Sequence, residues 1–479
     1  MSTHDVIIIG GGAAGLTSAA GMAQLGLKTA LIEKDHMGGD CLYYGCVPSK
    51  SLIKTARVRQ LTKNSSMYGL PEPNLENSPV SAVNVMQHVH QVIKGLEPHD
   101  SPERFRSLGC DVYLQGAHFI SEHEVLLDDG AKLSAPKIII STGSSPRIPD
   151  IPGLKETEYF TNREIFNIDK FPKTLITLGG GPIGVEISQA LSRLGVKNTL
   201  IEKASHILSR EDEDMADIIQ SIMREEGVTI ITNAEILGVK NSAKGKSVHY
   251  RENGTEKTVT ADALLVSLGR QGNISDLKLE NAGVKSERSF IPVDNKLRTN
   301  KKHIFALGDV NGNFLFTHTA GAEASFAIKK IALHLPGSFS YNNTPWTTYT
   351  DPELASVGFN EKRAKELGIT YSVHTSGMGE IDRSNAEIET SGKIKVLLDT
   401  KGRVIGTQIA SVHAGDLITP SLFAVRNKWK LTKMLGPVYP YPTFGEIHRK
   451  NAGSYAGPKL FNARVRKILR ILFHYRGNK

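Results

Sequence analysis

Cysteine is nearly absent. The 479-residue chain holds three: Cys41, Cys46 and Cys110. That is far too few for the disulfide framework of a secreted scaffold. A structural zinc site wants four ligands, with a second Cys or His pair at short spacing, and the sixteen histidines form no such cluster. No metal is expected. Long apolar runs are also missing, so no segment reaches the length of a membrane span. The N-terminus passes almost at once into DVIIIGGG, which is too short and glycine-rich for a secretory segment and has no basic stretch ahead of it. The expected location is cytoplasmic. Acidic residues are lacking in one place: residues 447–479 carry nine of the 58 Lys and Arg and no Asp or Glu. The remaining 49 basic residues face 49 acidic ones, so the formal charge of +9 belongs to the tail. A neutral body with a basic tail does not read as a nucleic-acid binder.

What is present begins with length, which suggests about three domains. A repeat comes next. DVIIIGGGAAGLTSAAGMAQLGLKTALIEK (5–34) aligns without gaps to TLITLGGGPIGVEISQALSRLGVKNTLIEK (174–203). Each copy runs from a β-rich apolar stretch through G-x-G-x-x-G into a helix and then a second strand, a βαβ unit with the dinucleotide fingerprint. Gly10 and Gly179 permit the turn off the strand. Gly12 and Gly181 leave room for a pyrophosphate beside the backbone. Gly15 and Gly184 let helix and strand pack closely. Phosphates then sit at the helix N-terminus, where free N–H groups and the dipole favour anions. Glu33 and Glu202 end the second strands, where a carboxylate accepts hydrogen bonds from a ribose diol. Two dinucleotides are therefore expected. Glu202 repels a 2′-phosphate, which favours NAD over NADP, although Lys203 beside it softens the preference.

Cys41 and Cys46 are separated by four residues in GGDCLYYGCVPSK (38–50). In a reducing compartment such a pair is reactive or metal-binding rather than structural. Beside two dinucleotide sites, it suits a relay in which a flavin takes a hydride from a nicotinamide and passes two electrons to a disulfide.

At this point the chain, from residue 5 to about 450, resembles the pyridine nucleotide–disulfide oxidoreductases, the flavoproteins that include dihydrolipoyl dehydrogenase, glutathione reductase and mercuric reductase. GGDCLYYGCVPSK resembles their redox-active box. The resemblance implies an α/β fold of two Rossmann-like domains, for FAD and NAD(P), and a C-terminal α/β dimerisation domain. It makes Cys41 the interchange thiol, Cys46 the thiolate against the flavin, and Lys50 a neighbour of the flavin paired with Glu186. IIISTGSSPRIPDIPG (138–153), with Thr142 and Gly143, resembles the strand leaving the flavin domain. HIFALGDVNG (303–312), with Gly308 and Asp309, resembles the second flavin motif, and FTHTAGAEA follows with Thr317 opening a helix aimed at the flavin. QGAHF, with Gly116 and Ala117, is similar to the segment near the adenine. LLVSLGRQGN (264–273) places Gly269 near the nicotinamide. Ala14, Lys34, Gly39 and Ile183 are further cofactor contacts that the resemblance implies. YTDPELASVG (349–358) opens the interface domain of a homodimer. The implied segments are 1–150 with 275–345 for FAD, 151–274 for NAD, 346–455 for the interface and 456–479 as a basic tail.

The chain departs from its relatives at YPYPTFGEIHRK (439–450). Dihydrolipoyl dehydrogenases and glutathione reductases carry there a histidine from the partner subunit as acid–base, oriented by a glutamate. Here Tyr441 replaces the histidine while Glu446 is kept. A phenol titrates near pH 10 and mostly exchanges hydrogen bonds, where an imidazole shuttles protons near neutrality. His448 reads as an ordinary surface histidine. Mercuric reductases share the tyrosine but add a C-terminal cysteine pair, and this chain has no cysteine after Cys110. Pro182 stands where a gating tyrosine is common. Cys110 opens a strand as a buried hydrophobe. The expected function is an FAD-dependent NAD(P)H:disulfide oxidoreductase acting on a small-molecule or protein-bound disulfide or dithiol, or a metal or quinone acceptor. The rivals are a flavin-binding redox sensor and an NADH:acceptor reductase at the membrane surface that ignores dithiols. Two further segments stand apart. REDEDMADII (210–219) reads as a solvated acidic helix start. Residues 459–479 read as a basic amphipathic helix, suited to an anionic membrane surface or to packing on the dimer.

Overall fold

Short runs of β-branched and other apolar residues form the strands, and the parallel sheets of the first unit are buried on both faces. The computed structural model describes residues 2–75, 79–243 and 245–475, and it separates into two compact units. The first comprises residues 1–205 and 226–341, the second residues 206–225 and 342–479. The first unit holds β1 (Val6–Ile9), β2 (Thr29–Ile32), β3 (Cys110–Tyr113), β4 (Lys137–Ile140), β5 (Thr174–Leu178), β6 (Lys197–Ile201), β7 (Thr229–Ile231), β8 (Ala263–Val266) and β9 (Ile304–Ala306). One parallel sheet runs β9-β4-β1-β2-β3, another β8-β5-β6-β7. In each, the chain leaves the fingerprint strand for one neighbour and later returns on its other side. That reversal opens a crevice at the carboxyl ends of the strands, where open α/β sheets bind ligands. Helices α1 (Ala13–Gln24), α2 (Gly39–Tyr43), α3 (Cys46–Lys63), α4 (Pro182–Arg193) and α5 (Thr317–Ile331) flank these sheets. Leu52 and Ala56 of α3 pack with Ile187 and Leu191 of α4 in one buried cluster, so the redox box and the second fingerprint helix share a core.

Cys110 is buried at the first position of β3, as expected of a small hydrophobe. Among the described residues, no helix is long and apolar enough to cross a membrane.

The second unit is built on an antiparallel sheet of β10 (Pro345–Thr348), β11 (Glu353–Gly358), β12 (Ser372–Gly377), β13 (Lys393–Leu398) and β14 (Val404–Ser411), in the order β10-β11-β14-β13-β12. Its core includes Val357, Ile394, Val396, Ile409, Ile418 and Ile447. Helices α6 (Glu446–Leu460) and α7 (Ala463–Phe473) end the chain.

The acidic run at 210–219 is only partly a solvated helix start: Glu213 and Asp214 open the helix exposed, but the two acids before them are buried. Glu211 and Asp212 are 4% and 5% exposed, and the helix begins only at Glu213. Glu211 accepts hydrogen bonds from Trp346 Nε1 (2.5 Å), Ser356 Oγ (2.6 Å) and Gln408 Nε2 (2.6 Å). Asp212, Asp214 and Glu361 surround the Nζ of Lys395 at 3.0, 2.6 and 2.5 Å. The Lys395 side chain is 3% exposed. Buried carboxylates persist only when paired and hydrogen-bonded, and here strands from far along the chain supply the partners. His448 likewise needs correction: it is 2% exposed and its Nε2 lies 2.7 Å from the Leu417 carbonyl oxygen. Burial pulls its pKa below the ordinary imidazole value, so it is a neutral core residue.

Candidate active site

The two fingerprints fold into near-identical turns. Gly10 and Gly179 take φ of +110° and +101°, a conformation that side chains resist. Their N–H groups donate to Ile32 O and Ile201 O at 2.8 and 2.9 Å. A Cβ on Gly15 would fall 1.8 Å from Gly10 O, and one on Gly184 would fall 2.1 Å from Gly179 O. Close helix–strand packing therefore excludes any side chain at both. A Cβ on Gly12 or Gly181 would meet nothing within 4 Å. Those two glycines cap α1 and α4 with no side-chain hydrogen bond and no acidic residue in the first turn. Each helix start thus offers unsatisfied N–H groups beside an open space, which fits a pyrophosphate in both places.

The acids at the ends of β2 and β6 are fixed in the same manner. Glu33 accepts from Gly11 N (2.5 Å) and Asp35 N (2.8 Å). Glu202 accepts from Gly180 N (2.6 Å) and Ala204 N (2.8 Å). Lys34 turns away to Asp276, 2.6 Å distant. Gly39 lies beside the first turn: a Cβ on it would come 3.0 Å from Gly12 Cα. Ala14 and Ile183 stand on the first turns of α1 and α4. Gly116 N donates to Asp128 Oδ2 (2.9 Å), and Ala117 begins the adjoining short strand. Thr142 Oγ1 donates to Asn273 O (2.7 Å), Gly143 O accepts from Asn273 N (3.0 Å), and Gly269 O accepts from Arg147 N (2.9 Å).

The redox box spans α2, a two-residue break at Tyr44 and Gly45, and the start of α3. Cys41, Cys46 and Cys110 are all free. Cys46 Sγ lies 3.4 Å from Thr317 Oγ1, at the start of α5. The two box sulfurs divide one proton unequally. A hydrogen bond from Cys41, helped by Thr317 and the Lys50 charge, outweighs desolvation and Glu186 and holds Cys46 down at about 6. The same bond to Cys46, with burial, pushes the Cys41 thiol far up. Lys50 Nζ sits 2.9 Å from Glu186 Oε2, so the box lysine and the α4 glutamate do meet.

Eight residues that the sequence reading did not single out complete this region. Arg270 Nη2 is 3.0 Å from Asp40 Oδ2, and Arg270 Nε donates to Ser144 Oγ (2.7 Å), which donates to Asp309 Oδ2 (2.6 Å). Burial raises the Asp309 carboxyl, against the pull of Arg270. Gly308 N donates to buried Glu323 (2.6 Å), which also accepts from Asn311 Nδ2 (2.9 Å) and Tyr341 OH (2.6 Å). Ser141 and Ser267 each bond both carbonyls of their fingerprint turn, Ser141 to Ile9 O and Gly10 O, Ser267 to Leu178 O and Gly179 O. The serines had a signal: STG at 141–143 and SLG at 267–269 repeat each other. The arginine cluster had none, because its members come from four separated segments.

In the second unit Tyr441 is 70% exposed and donates from its hydroxyl to Asp382 Oδ2 at 2.7 Å. That bond and the Asp382 charge raise its pKa above the ordinary phenol value. Glu446, the first residue of α6, accepts instead from Thr443 N (3.3 Å). The hydrogen-bond partner of Tyr441 is therefore Asp382, while Glu446 bonds within its own turn.

With this geometry in place, the comparisons are consistent. Residues 4–324 match the family model for pyridine nucleotide-disulphide oxidoreductase, and residues 344–452 match the dimerisation domain of that family. A dihydrolipoyl dehydrogenase of Geobacillus stearothermophilus is 33% identical over 92% of this chain and 94% of its own. A mercuric reductase of Bacillus cereus is 29% identical over 92% of this chain and 70% of its own. The HOCl-induced flavoprotein disulfide reductase RclA of Escherichia coli superposes with a TM-score of 0.82 at 29% identity, covering 94% of this chain and 99% of its own. The dimerisation domain marks a homodimer. The chain belongs to the pyridine nucleotide-disulphide oxidoreductases and is an FAD-dependent NAD(P)H:disulfide oxidoreductase.

Proposed function

We propose that the enzyme runs in the reductive direction, from NADH through FAD and the Cys41–Cys46 pair to a metal ion, a quinone or a low-molecular-weight disulfide, of which the first two need no imidazole base. Segments 1–150 and 275–345 would carry FAD at the Gly10–Gly15 turn, Glu33, the Gly308–Asp309 turn and the start of α5. Segment 151–274 would carry NADH at the Gly179–Gly184 turn and Glu202, residues 346–455 the dimer interface and 456–479 the basic tail. The doubly bonded Glu202 carboxylate supports NADH over NADPH. FAD, when bound, supplies the two-electron exchange between nicotinamide and disulfide.

The chain's own residues handle the protons. Two electrons and two protons convert the Cys41–Cys46 disulfide to two thiols. Above about pH 6 one of those protons leaves Cys46, and the Cys41 proton stays as the donor to that thiolate. Cys41 must lose its proton to attack a substrate disulfide, and resolution by Cys46 then restores the internal disulfide. A histidine would take that proton near neutrality; Tyr441, protonated and already donating to Asp382, does not. That phenol is the observation that carries the reading, since oxidation of a dihydrolipoyl group depends most on a base. Steady-state assays with NADH over a panel of disulfides, metal ions and quinones, and with NAD+ plus dihydrolipoamide, test it. Fast dihydrolipoamide oxidation by the unaltered enzyme would remove the argument. The enzyme is further proposed to sit in the cytoplasm, peripheral at an anionic membrane surface through residues 459–479.

A further inference from the structure

Helix α7 has no buried residue. Phe461, Ile468, Ile471, Leu472 and Phe473 are all more than half exposed, so bare apolar side chains cluster along this short stretch. At 100° per residue, Val465, Ile468, Leu469, Leu472 and Phe473 fall on one face. Lys467 and Arg470 fall on the opposite face, and Arg464 and Arg466 flank the apolar stripe on either side. The helix is also well started, since the Asn462 side chain accepts from Val465 N at 3.0 Å. It lies beyond residue 452, where the match to the family's dimerisation domain ends.

We infer that α7 is an interfacial anchor, with its Val465–Phe473 stripe inserted at the headgroup–acyl boundary of an anionic bilayer and Arg464 and Arg466 on the lipid phosphates. This rests on the peripheral reading above and specifies its mode. The partner follows from charge complementarity. Nine basic residues with no acid in the last 33 suit a phosphate-rich surface. A second copy of the same helix is a poor occupant, because pairing it across a two-fold axis brings like charges together. A cationic face with an apolar stripe of this width is the pattern of helices that lie in the interface plane rather than span it. Each homodimer presents two such helices, so that binding of one raises the effective concentration of the other at the same surface.

The test uses the full-length holoenzyme and vesicles of phosphatidylglycerol with phosphatidylcholine, against pure phosphatidylcholine. Cosedimentation is expected with the anionic vesicles only. It should weaken with salt, as screening shortens the reach of the charges. R464Q/R466Q should lower partitioning by about thirtyfold, about fivefold for each charge removed. I468E/L472E should abolish it, and both variants should keep flavin content and NADH oxidation. A tryptophan at residue 472 (L472W) should be quenched by lipids brominated on the acyl chain. No cosedimentation by the unaltered protein overturns the anchor and the peripheral reading together. Cosedimentation that survives I468E/L472E, without quenching of L472W, overturns insertion and leaves a purely electrostatic surface contact. An L472W emission already blue-shifted before vesicles are added, with I468E/L472E changing the oligomer, assigns the stripe to a second copy and overturns the anchor.

Discussion

Lys50 Nζ lies 2.9 Å from Glu186 Oε2, a salt bridge between residues 136 positions apart that joins the redox-box helix to the second fingerprint helix. Glu186 is 7% exposed and Lys50 35% exposed, so the pair is only partly screened. Its two charges act on Cys46 in opposite senses, the lysine lowering the thiol pKa and the glutamate raising it. In the reduced protein, Cys46 alkylation by iodoacetamide should follow the thiolate, falling away as pH drops through about 6. K50Q should move that midpoint upward and E186Q downward, each by up to about one unit. Shifts of the same sign in both variants would show that the pair does not act through charge.

The fingerprint glycines separate folding from cofactor retention. G15A forces a methyl group onto Gly10 O, and G184A does the same at Gly179 O. Both should destabilise the fold by about 1–3 kcal/mol or more, as overpacking does. G12A and G181A meet no atom of the protein, so their thermal unfolding without cofactor should stay near the unaltered value. G12A should nonetheless purify with little FAD, and G181A with normal FAD and a raised KM for NADH. Flavin absorbance per chain and thermal melts decide this. A fully flavinated G12A would mean that the open space at residue 12 is not the pyrophosphate cradle.

Lys395 holds three carboxylates, and K395M leaves Asp212, Asp214 and Glu361 without their common partner. Removing one member of a buried ion cluster typically costs about 3–5 kcal/mol. The pH dependence has a definite sign. Burial alone would raise Asp214 and Glu361, but hydrogen bonds from Lys393 and Lys395 to Asp214, and from Lys395 and Tyr371 to Glu361, leave both below the usual range. Their stabilisation is present above the unfolded carboxylate pKa and lost as pH falls through the lower folded values. The gap in urea midpoint between K395M and the unaltered protein should therefore be widest near neutrality and narrow on acidification. A gap that widens in acid would contradict this account.

Tyr441 donates to Asp382 and its pKa is raised, so it should contribute no ionisation to activity between about pH 6 and 8. Y441H should introduce one near the ordinary imidazole value of about 6.5 and increase dihydrolipoamide turnover relative to the unaltered enzyme. D382N should add no new limb near neutrality, because the phenol keeps its proton either way. Full pH–rate profiles of kcat/KM for the three proteins test the set, and a limb near neutrality in the unaltered enzyme that disappears in Y441F would assign proton transfer to the tyrosine.

Much of this site was legible before any coordinates. The repeat at 5–34 and 174–203 anticipates both crevices, because a turn that must hold a phosphate needs glycines at set spacings within one βαβ unit. GGDCLYYGCVPSK anticipates the thiol pair for the same local reason. Less legible were residues whose roles depend on distant partners. The run REDEDMADII looks solvated by composition, yet Trp346, Ser356, Gln408 and Lys395 bury its first residues. His448 follows two positions after Glu446 at the start of α6, and only the helix's packing on Leu417 shows that it faces the core.

Sequence by itself determined the βαβ repeat, the cysteine pair, the missing histidine at 441 and the confinement of net charge to the tail, since each is a matter of residue type at short range. Tertiary structure alone decided which charges meet: Arg270 with Asp40 and Asp309, Lys395 with its three acids, Tyr441 with Asp382 rather than Glu446. The reason is physical. A buried charge is tolerable only beside its counter-charge, and that partner is chosen by how strands and helices from remote segments pack, which no local pattern encodes.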